Sequence, residues 1–197
     1  LSDASFLSTQ MSDSVFTDTT LFISNFSAWS VDNLEISGCT FAFGQTGLVV
    51  TVTNDAHILL GGGLTLPPQS EFRCRNLVVT NTGAFTVQGG VTNGAPVGYG
   101  ALVEVAEDMV VGPGSWIYPL SDRYDGGSPL FRAKNLLVAD TGGFNANYRG
   151  FLWAQGPGKG TGSWGGGGHG GQGGTWDSGN RGGPAYGEAD APVHAGS

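Results

Sequence analysis

Charge is scarce in this chain. Only 12% of its 197 residues are charged, and acids outnumber bases by 16 to 8, for a formal net charge of −8. A phosphate track or an anionic membrane surface would be repelled, so nucleic acid and acidic lipid are set aside as partners. No stretch approaches the roughly 20 uninterrupted apolar residues that span a bilayer, and no basic, apolar and small-residue leader opens the chain. There is no sustained 3.6-residue apolar stripe, which argues against helices. Nucleophile elbow, P-loop, zinc spacing and dinucleotide fingerprint are all missing. Cysteine is limited to Cys39 and Cys74. These could form a secreted disulfide, but the repeat register described next puts them at different places in their coils, which favours two buried free thiols.

Glycine, in contrast, is abundant: 36 residues, far above the usual share of roughly 7%. Beneath it lies an internal repeat. FRCRNLVVTNTGAFT from Phe72 agrees with FRAKNLLVADTGGFN from Phe131 at eight of fifteen places. Weaker relatives are centred on Ser14, Asn33, His57 and Asp108, and with Asn76 and Asn135 the six anchors are separated by 19, 24, 19, 32 and 27 residues. Each unit reads as a polar residue, three mostly apolar residues, a small polar or glycine break, and a second short strand. Such a strand pair cannot bury its apolar face alone, whereas stacking on its neighbours makes a continuous core and pairs the strand edges. The expected fold is therefore all-β, a right-handed parallel β-helix, with coils over 1–149 and a glycine-rich loop segment over 150–197. A β-sandwich is the alternative, but it has no reason to reuse the turn Thr82–Phe85 at Thr141–Phe144. The stretches Gln88–Gly100 and Tyr118–Gly127 are expected to loop out of the stack.

Register also places Glu107 between Arg75 and Lys134, about one strand spacing (~4.8 Å) from each. That predicts a structural charge ladder rather than a basic patch for an acidic glycan, since exposed pairs contribute little.

From Gly150 to Gly187 the chain holds 17 of its glycines, interleaved with Trp153, Trp164, Trp176 and Tyr186. Such a run reads either as a flexible spacer or as an ordered loop in which glycines let backbones approach and aromatics cover them. The runs NYRGF (Asn147–Phe151), GGGGHGGQGG (Gly165–Gly174) and GGPAYGEADAPVHAGS (Gly182–Ser197) resemble a segment of large extracellular glycine-rich repeat proteins, mostly bacterial. In those proteins GGGHGGxGG is followed by GGxxYGxxxxPxxxGSGG and then another β-helix coil. The resemblance implies a pectin-lyase-like parallel β-helix, secreted or on a cell surface, and supplies no catalytic residues. It also implies continuation beyond Ser197. Together with Leu1 in place of an initiator Met, this leads to the expectation of a piece of a larger polypeptide, whose remainder or a second chain would be a partner.

Candidate chemistry concentrates in two places. Asp122, Arg123, Tyr124 and Asp125 fall in a long excursion, where solenoid enzymes carry active-site loops. Arg123 and Tyr124 suit a polysaccharide lyase, which neutralises a uronate and removes a proton. Asp122 and Asp125 suit a glycoside hydrolase, which needs two carboxylates. Ordinary turn chemistry explains the same four residues. His169, inside the glycine run, could move a proton or hold a metal, or simply fix a turn. Trp153, Trp164, Trp176 and Tyr186, with Trp116, offer flat faces for sugar rings. No cofactor is required; Asp177, Glu188, Asp190 and His194 could supply oxygen and nitrogen ligands to Ca²⁺, but match no defined calcium loop. The functional expectation is an extracellular or cell-surface module with a structural, adhesive or carbohydrate-contacting role, with part of a carbohydrate-active enzyme as the alternative.

Overall fold

The computed structural model describes residues 10–17, 20–23, 27–93, 98–169 and 171–187, the first two segments by backbone only. Among them there is no helix. Strands alternate between two six-stranded sheets, all pairings parallel. One sheet stacks β1 (Gln10–Thr17), β3 (Ala28–Ser37), β5 (Val49–Leu59), β7 (Glu71–Val79), β9 (Ala101–Val111) and β11 (Pro129–Val138). The other stacks β2 (Thr20–Ile23), β4 (Thr40–Phe43), β6 (Gly63–Leu66), β8 (Ala84–Gln88), β10 (Trp116–Leu120) and β12 (Gly143–Phe144). Each coil thus supplies one strand to each sheet, which makes the chain a parallel β-helix.

The core follows from the register. Period-two alternation sends every second side chain inward, and stacking sets like on like. Val31, Val52, Cys74 and Val105 form one file, Ile36, Ile58, Val79, Val111 and Val138 another, and Phe41, Leu64, Phe85, Ile117 and Phe144 a third. All but the last coil's members are buried. Val79, Val111 and Val138, which close the apolar triplets of three repeats, thus share one file. Cys39 and Cys74 are buried free thiols in different positions of their coils.

In β3, β5, β7 and β9 the inward alternation breaks once, and the polar anchor sits at that break. The step between inward residues is three from Val31 to Leu34 and from Cys74 to Leu77, but four from Val52 to Ala56 and from Val105 to Met109. The anchors that stack there are Asp13, Asn33, Asp55, Asn76, Asp108 and Asn135, aspartate and asparagine in strict alternation. Two sequence expectations shift accordingly: Asp13 replaces Ser14, and Asp55 replaces His57, which pairs one face over with Glu35 and Val78. Hydrogen bonds connect the described rungs. The Asp55 N–H donates to Oδ1 of Asn33 (3.3 Å), Asn76 Nδ2 to Oδ1 of Asp55 (2.7 Å), the Asp108 N–H to Oδ1 of Asn76 (3.2 Å), and Asn135 Nδ2 to Oδ1 of Asp108 (2.7 Å). Asn76 uses both its donor and its acceptor, whereas the aspartates lend a backbone donor and a carboxylate acceptor.

The charge ladder forms by half. Lys134 pairs with Glu107 at 2.6 Å, but Arg75 has no ion pair among the described residues. Arg73 bridges Glu71 (2.7 Å) and Glu104 (3.7 Å) instead. β9 carries one more residue at the break than either β7 or β11, so Arg75 and Lys134 stand in the same register to Glu107, and the carboxylate takes Lys134.

The repeated turn is built on close packing. A Cβ on Gly83 would strike the carbonyl oxygen of Ile58, and one on Gly142 that of Gly112, so only glycine fits.

Candidate functional site

The excursions expected to leave the stack are pinned at their bases. Gly89, Gly90, Gly100 and Gly127 meet backbone to backbone, with Gly90 N–H donating to the Gly100 carbonyl (2.8 Å) and Gly100 N–H to Ser128 (2.8 Å). The loop that follows β10 then folds on its own acids. Oδ1 of Asp122 accepts the N–H groups of Tyr124 (2.9 Å) and Asp125 (2.7 Å). Oδ1 of Asp125 accepts both the N–H (2.6 Å) and the hydroxyl (2.7 Å) of Thr92 from the preceding excursion. These bonds to the Thr92 side chain and backbone hold the Asp125 carboxyl below the usual carboxylate range. A general acid needs a shift in the other direction. Asp122 and Asp125 are thus spent on holding the loop, while Tyr124 projects into solvent, 75% exposed.

Arg123 belongs to a different constellation. Together with Ser121, Asn147, Tyr148 and Arg149 it lines an open groove where the last turn of the solenoid passes into the glycine-rich segment. The Arg149 carbonyl accepts the Ser121 N–H (2.9 Å), and the Arg123 carbonyl accepts the Leu152 N–H (3.2 Å), which bring 121–123 and 147–152 side by side. The Arg149 guanidinium lies over the Tyr118 ring at 4.6 Å. Its Nε is buried and has no hydrogen-bond acceptor among the described residues. No described carboxylate pairs with Arg123, Arg149 or Lys159, whereas Arg73 and Lys134 are both paired. Lys159 lines the next groove along, with Trp153, Gln155 and Ser163.

The glycine-rich segment packs upon itself. Gly168 N–H donates to the Gly158 carbonyl (2.7 Å), Gly166 to Gly174 (2.9 Å), Gly173 to Gly183 (3.0 Å) and Gly183 to Gly166 (2.9 Å), so separate glycine runs are cross-linked through their backbones. A Cβ on Gly173 would enter the Gly166 carbonyl, and one on Gly182 the Gly173 carbonyl. Here glycine density means contact, the ordered alternative of the two that composition left open.

Three tryptophans stand on this layer at high exposure: Trp153 at 83%, Trp164 at 75% and Trp176 at 76%. Asn180 organises two of them. Its Oδ1 accepts the Trp164 N–H (3.1 Å) and its carbonyl accepts the Trp176 N–H (3.0 Å), while its Nδ2 donates to Asp177 (2.9 Å). Asp177 also accepts the Gly179 N–H (2.8 Å), and these bonds, that of the Asn180 side chain foremost, lower its carboxyl below the ordinary value. Tyr186 is not a fourth presented ring. It packs edge-on to His169 at 4.8 Å between ring centres and lies against Gly158. Trp116 lies along β10 against Gly143.

No group of three or more His, Cys, Asp or Glu side chains able to hold a metal occurs among the described residues; Glu188, Asp190 and His194 lie outside them. Among the described residues no helix is long and apolar enough to cross a membrane. Sequence reading found Arg123 and the tryptophans but passed over Arg149, Lys159 and Asn180. The signal for Arg149 was within the NYRGF run, where Tyr148 and Arg149 follow Asn147. No protein-family model, curated protein or solved structure matches the chain.

Proposed function

We propose that this β-helix is a non-catalytic carbohydrate-contacting module, extracellular or on a cell surface, and that its ligand is an acidic polysaccharide. One observation carries the reading: two arginines without a carboxylate partner among the described residues, Arg123 and Arg149, line one open groove, in a chain whose net charge is −8. Planar guanidinium groups match carboxylates two bonds at a time. Fully exposed Tyr148 at that groove, and Trp153 with Lys159 at the next, supply ring faces and a further cation along one path. Sugars bind through that pairing of flat apolar faces and directed polar groups. The loop carboxylates that a hydrolase would need are already occupied by main-chain donors, which favours holding the polymer over cleaving it. The resemblance to extracellular glycine-rich repeat proteins supports the same location.

The test is calorimetric titration of the purified protein with polyuronates and neutral polysaccharides, with and without Ca²⁺. Binding to polyuronates that weakens with salt and falls at least tenfold in Arg149→Ala is expected. Equal affinity for neutral and acidic polymers, or none for either, would overturn the reading, and release of unsaturated sugar ends would make the module a lyase.

A further inference from the structure

One outward column of the second sheet changes character beside the arginine groove. It holds Ala42 in β4, Thr65 in β6 and Thr86 in β8, all small, and then Tyr118 in β10. Pro119 restricts the Tyr118 backbone to extended conformations, and Ile117 on the other side is fully buried. The ring therefore stands on a fixed strand, in the one coil that Arg149 crosses.

Arg149 is fixed from both directions. Its guanidinium carbon lies 4.6 Å from the centre of the Tyr118 ring. Its N–H donates to the Ala146 carbonyl (3.2 Å), and its carbonyl accepts the Ser121 N–H (2.9 Å). Tyr148, immediately before it, takes a left-handed backbone (φ 58°) and is fully exposed. A bulky residue keeps that conformation only where its surroundings enforce it. The turn leaves Tyr148 outside and Arg149 across β10. Burial of Nε closes one side of the guanidinium fork, so the Nη pair is the edge left to line the groove.

We infer that Tyr118 is the positioning residue of this groove: its ring holds the Arg149 fork flat, and a uronate carboxylate docks end-on across the two Nη groups. The inference rests on the acidic-polysaccharide reading and adds how the anion is held. A free arginine gives up its rotamers when a ligand binds, whereas a stacked one has given them up beforehand. Attraction between the cation and the ring face supplies the stacking. A planar fork meets a planar carboxylate through two parallel bonds, which a lysine ammonium cannot reproduce.

Calorimetric titration with polygalacturonate tests it in three variants. Tyr118→Thr installs the residue that the same column carries at Thr65 and Thr86, so the strand is kept and the ring removed. Affinity should fall roughly fivefold in Tyr118→Thr and stay within about twofold of wild type in Tyr118→Phe, which keeps the ring face. Arg149→Lys, which keeps the charge, should fall as far as Arg149→Ala. In the free protein, the Arg149 Nε–H resonance, assigned by its absence in Arg149→Ala, should exchange slowly with water in wild type and Tyr118→Phe and fast in Tyr118→Thr. Equal affinities of Tyr118→Thr and Tyr118→Phe, wild-type binding by Arg149→Lys, or fast Nε–H exchange in the wild type would each overturn the inference. The two readings fail differently: a wild type that does not bind polygalacturonate ends both, whereas binding lost in Arg149→Ala and intact in Tyr118→Thr ends this one alone.

Discussion

Nδ2 of Asn135 donates to Oδ1 of Asp108 at 2.7 Å, repeating one stage further along the contact of Asn76 with Asp55, also 2.7 Å. The repeat matters because the two asparagines are 59 positions apart and share no other reason to make the same bond (135 − 76). The amide of Asn76 both donates upstream and accepts downstream. A carboxylate in its place accepts only. The ladder therefore fixes coil register at the bend, where period-two alternation fails and a one-residue slip would turn the core outward.

Asn76 is the rung to test. Asn76→Ala removes the donor to Asp55 and the acceptor for the Asp108 N–H. The expected loss is about 1–3 kcal/mol, read as a fall in Tm of roughly 2–4 °C per kcal/mol for a chain of this size. Asn76→Asp should be worse at neutral pH, since three carboxylates would then stand in a row at about 4.8 Å spacing. Like charges raise a carboxyl's folded pKa, so that penalty exists at high pH and is relieved as pH falls through it. Chemical denaturation at pH 7 and pH 4 checks the crossover. A variant that is equally stable at both would show the ladder to be decorative.

Cys74 gives the fold an alkaline limit. Burial first, and the Asp55 carboxylate second, push its thiol from 9.0 up to about 12. With the folded value above the unfolded one, the contribution is whole below pH 9 and is lost as pH rises toward 12, because the unfolded chain releases the proton first. The limiting slope is about 1.4 kcal/mol per pH unit. Cys74→Val fills the site with the side chain found at Val31, Val52 and Val105 of the same file. It should leave stability at pH 7 within about 1.5 kcal/mol and flatten the decline between pH 9 and 11. In the native wild-type protein, neither Cys74 nor buried Cys39 should react with an aromatic disulfide reagent until unfolding exposes them.

Much of this architecture was legible from residues alone. The unit of one polar and three apolar residues predicted stacked coils, and that stacking sets Val79, Val111 and Val138 in one file. The anchors slipped by one at Ser14 and by two at His57 because the bend takes three residues in one coil and four in another, a difference that spacing between repeats cannot reveal. Arg75 was expected beside Glu107, which pairs with Lys134 instead. At the groove, Arg123 was visible as part of a polar loop, but Arg149 lies 26 positions later (149 − 123) and joins it through backbone bonds between the loops. Asn180 drew no notice because its role is to hold two main chains, which leaves no side-chain motif.

The tie between the two excursions makes a local prediction. Thr92 gives both of its donors to Asp125 across 33 positions. Asp125→Ala should leave global Tm nearly unchanged, since the pair is exposed, yet speed limited proteolysis within 121–127. In the wild type the tie belongs to the ionised carboxyl, whose pKa is lowered, so it holds above pH 3.8 and is lost as pH falls through that lowered value. Proteolysis that is equally slow in the variant would mean that the glycine contacts at Gly89, Gly100 and Gly127 suffice by themselves.

Two adjacent glycines decide whether the glycine-rich segment is a fold or a tether. A Cβ at Gly173 would collide with the Gly166 carbonyl, while one at Gly174 meets nothing within 4 Å. Composition and propensity treat them alike, and a flexible tether would tolerate alanine at both. In a packed layer, Gly173→Ala must part the backbones that hydrogen-bond Gly173 to Gly183 and Gly183 to Gly166, and the loss should reach Trp153 and Trp164, whose positions depend on that layer. Amide exchange over 158–183 should accelerate at least tenfold in Gly173→Ala and stay at the wild-type rate in Gly174→Ala. Tryptophan fluorescence should shift in the first variant alone. Identical exchange in the two variants would mean that the glycine runs do not hold one another, and with them would go the rigid presentation of the tryptophans on which ring stacking depends.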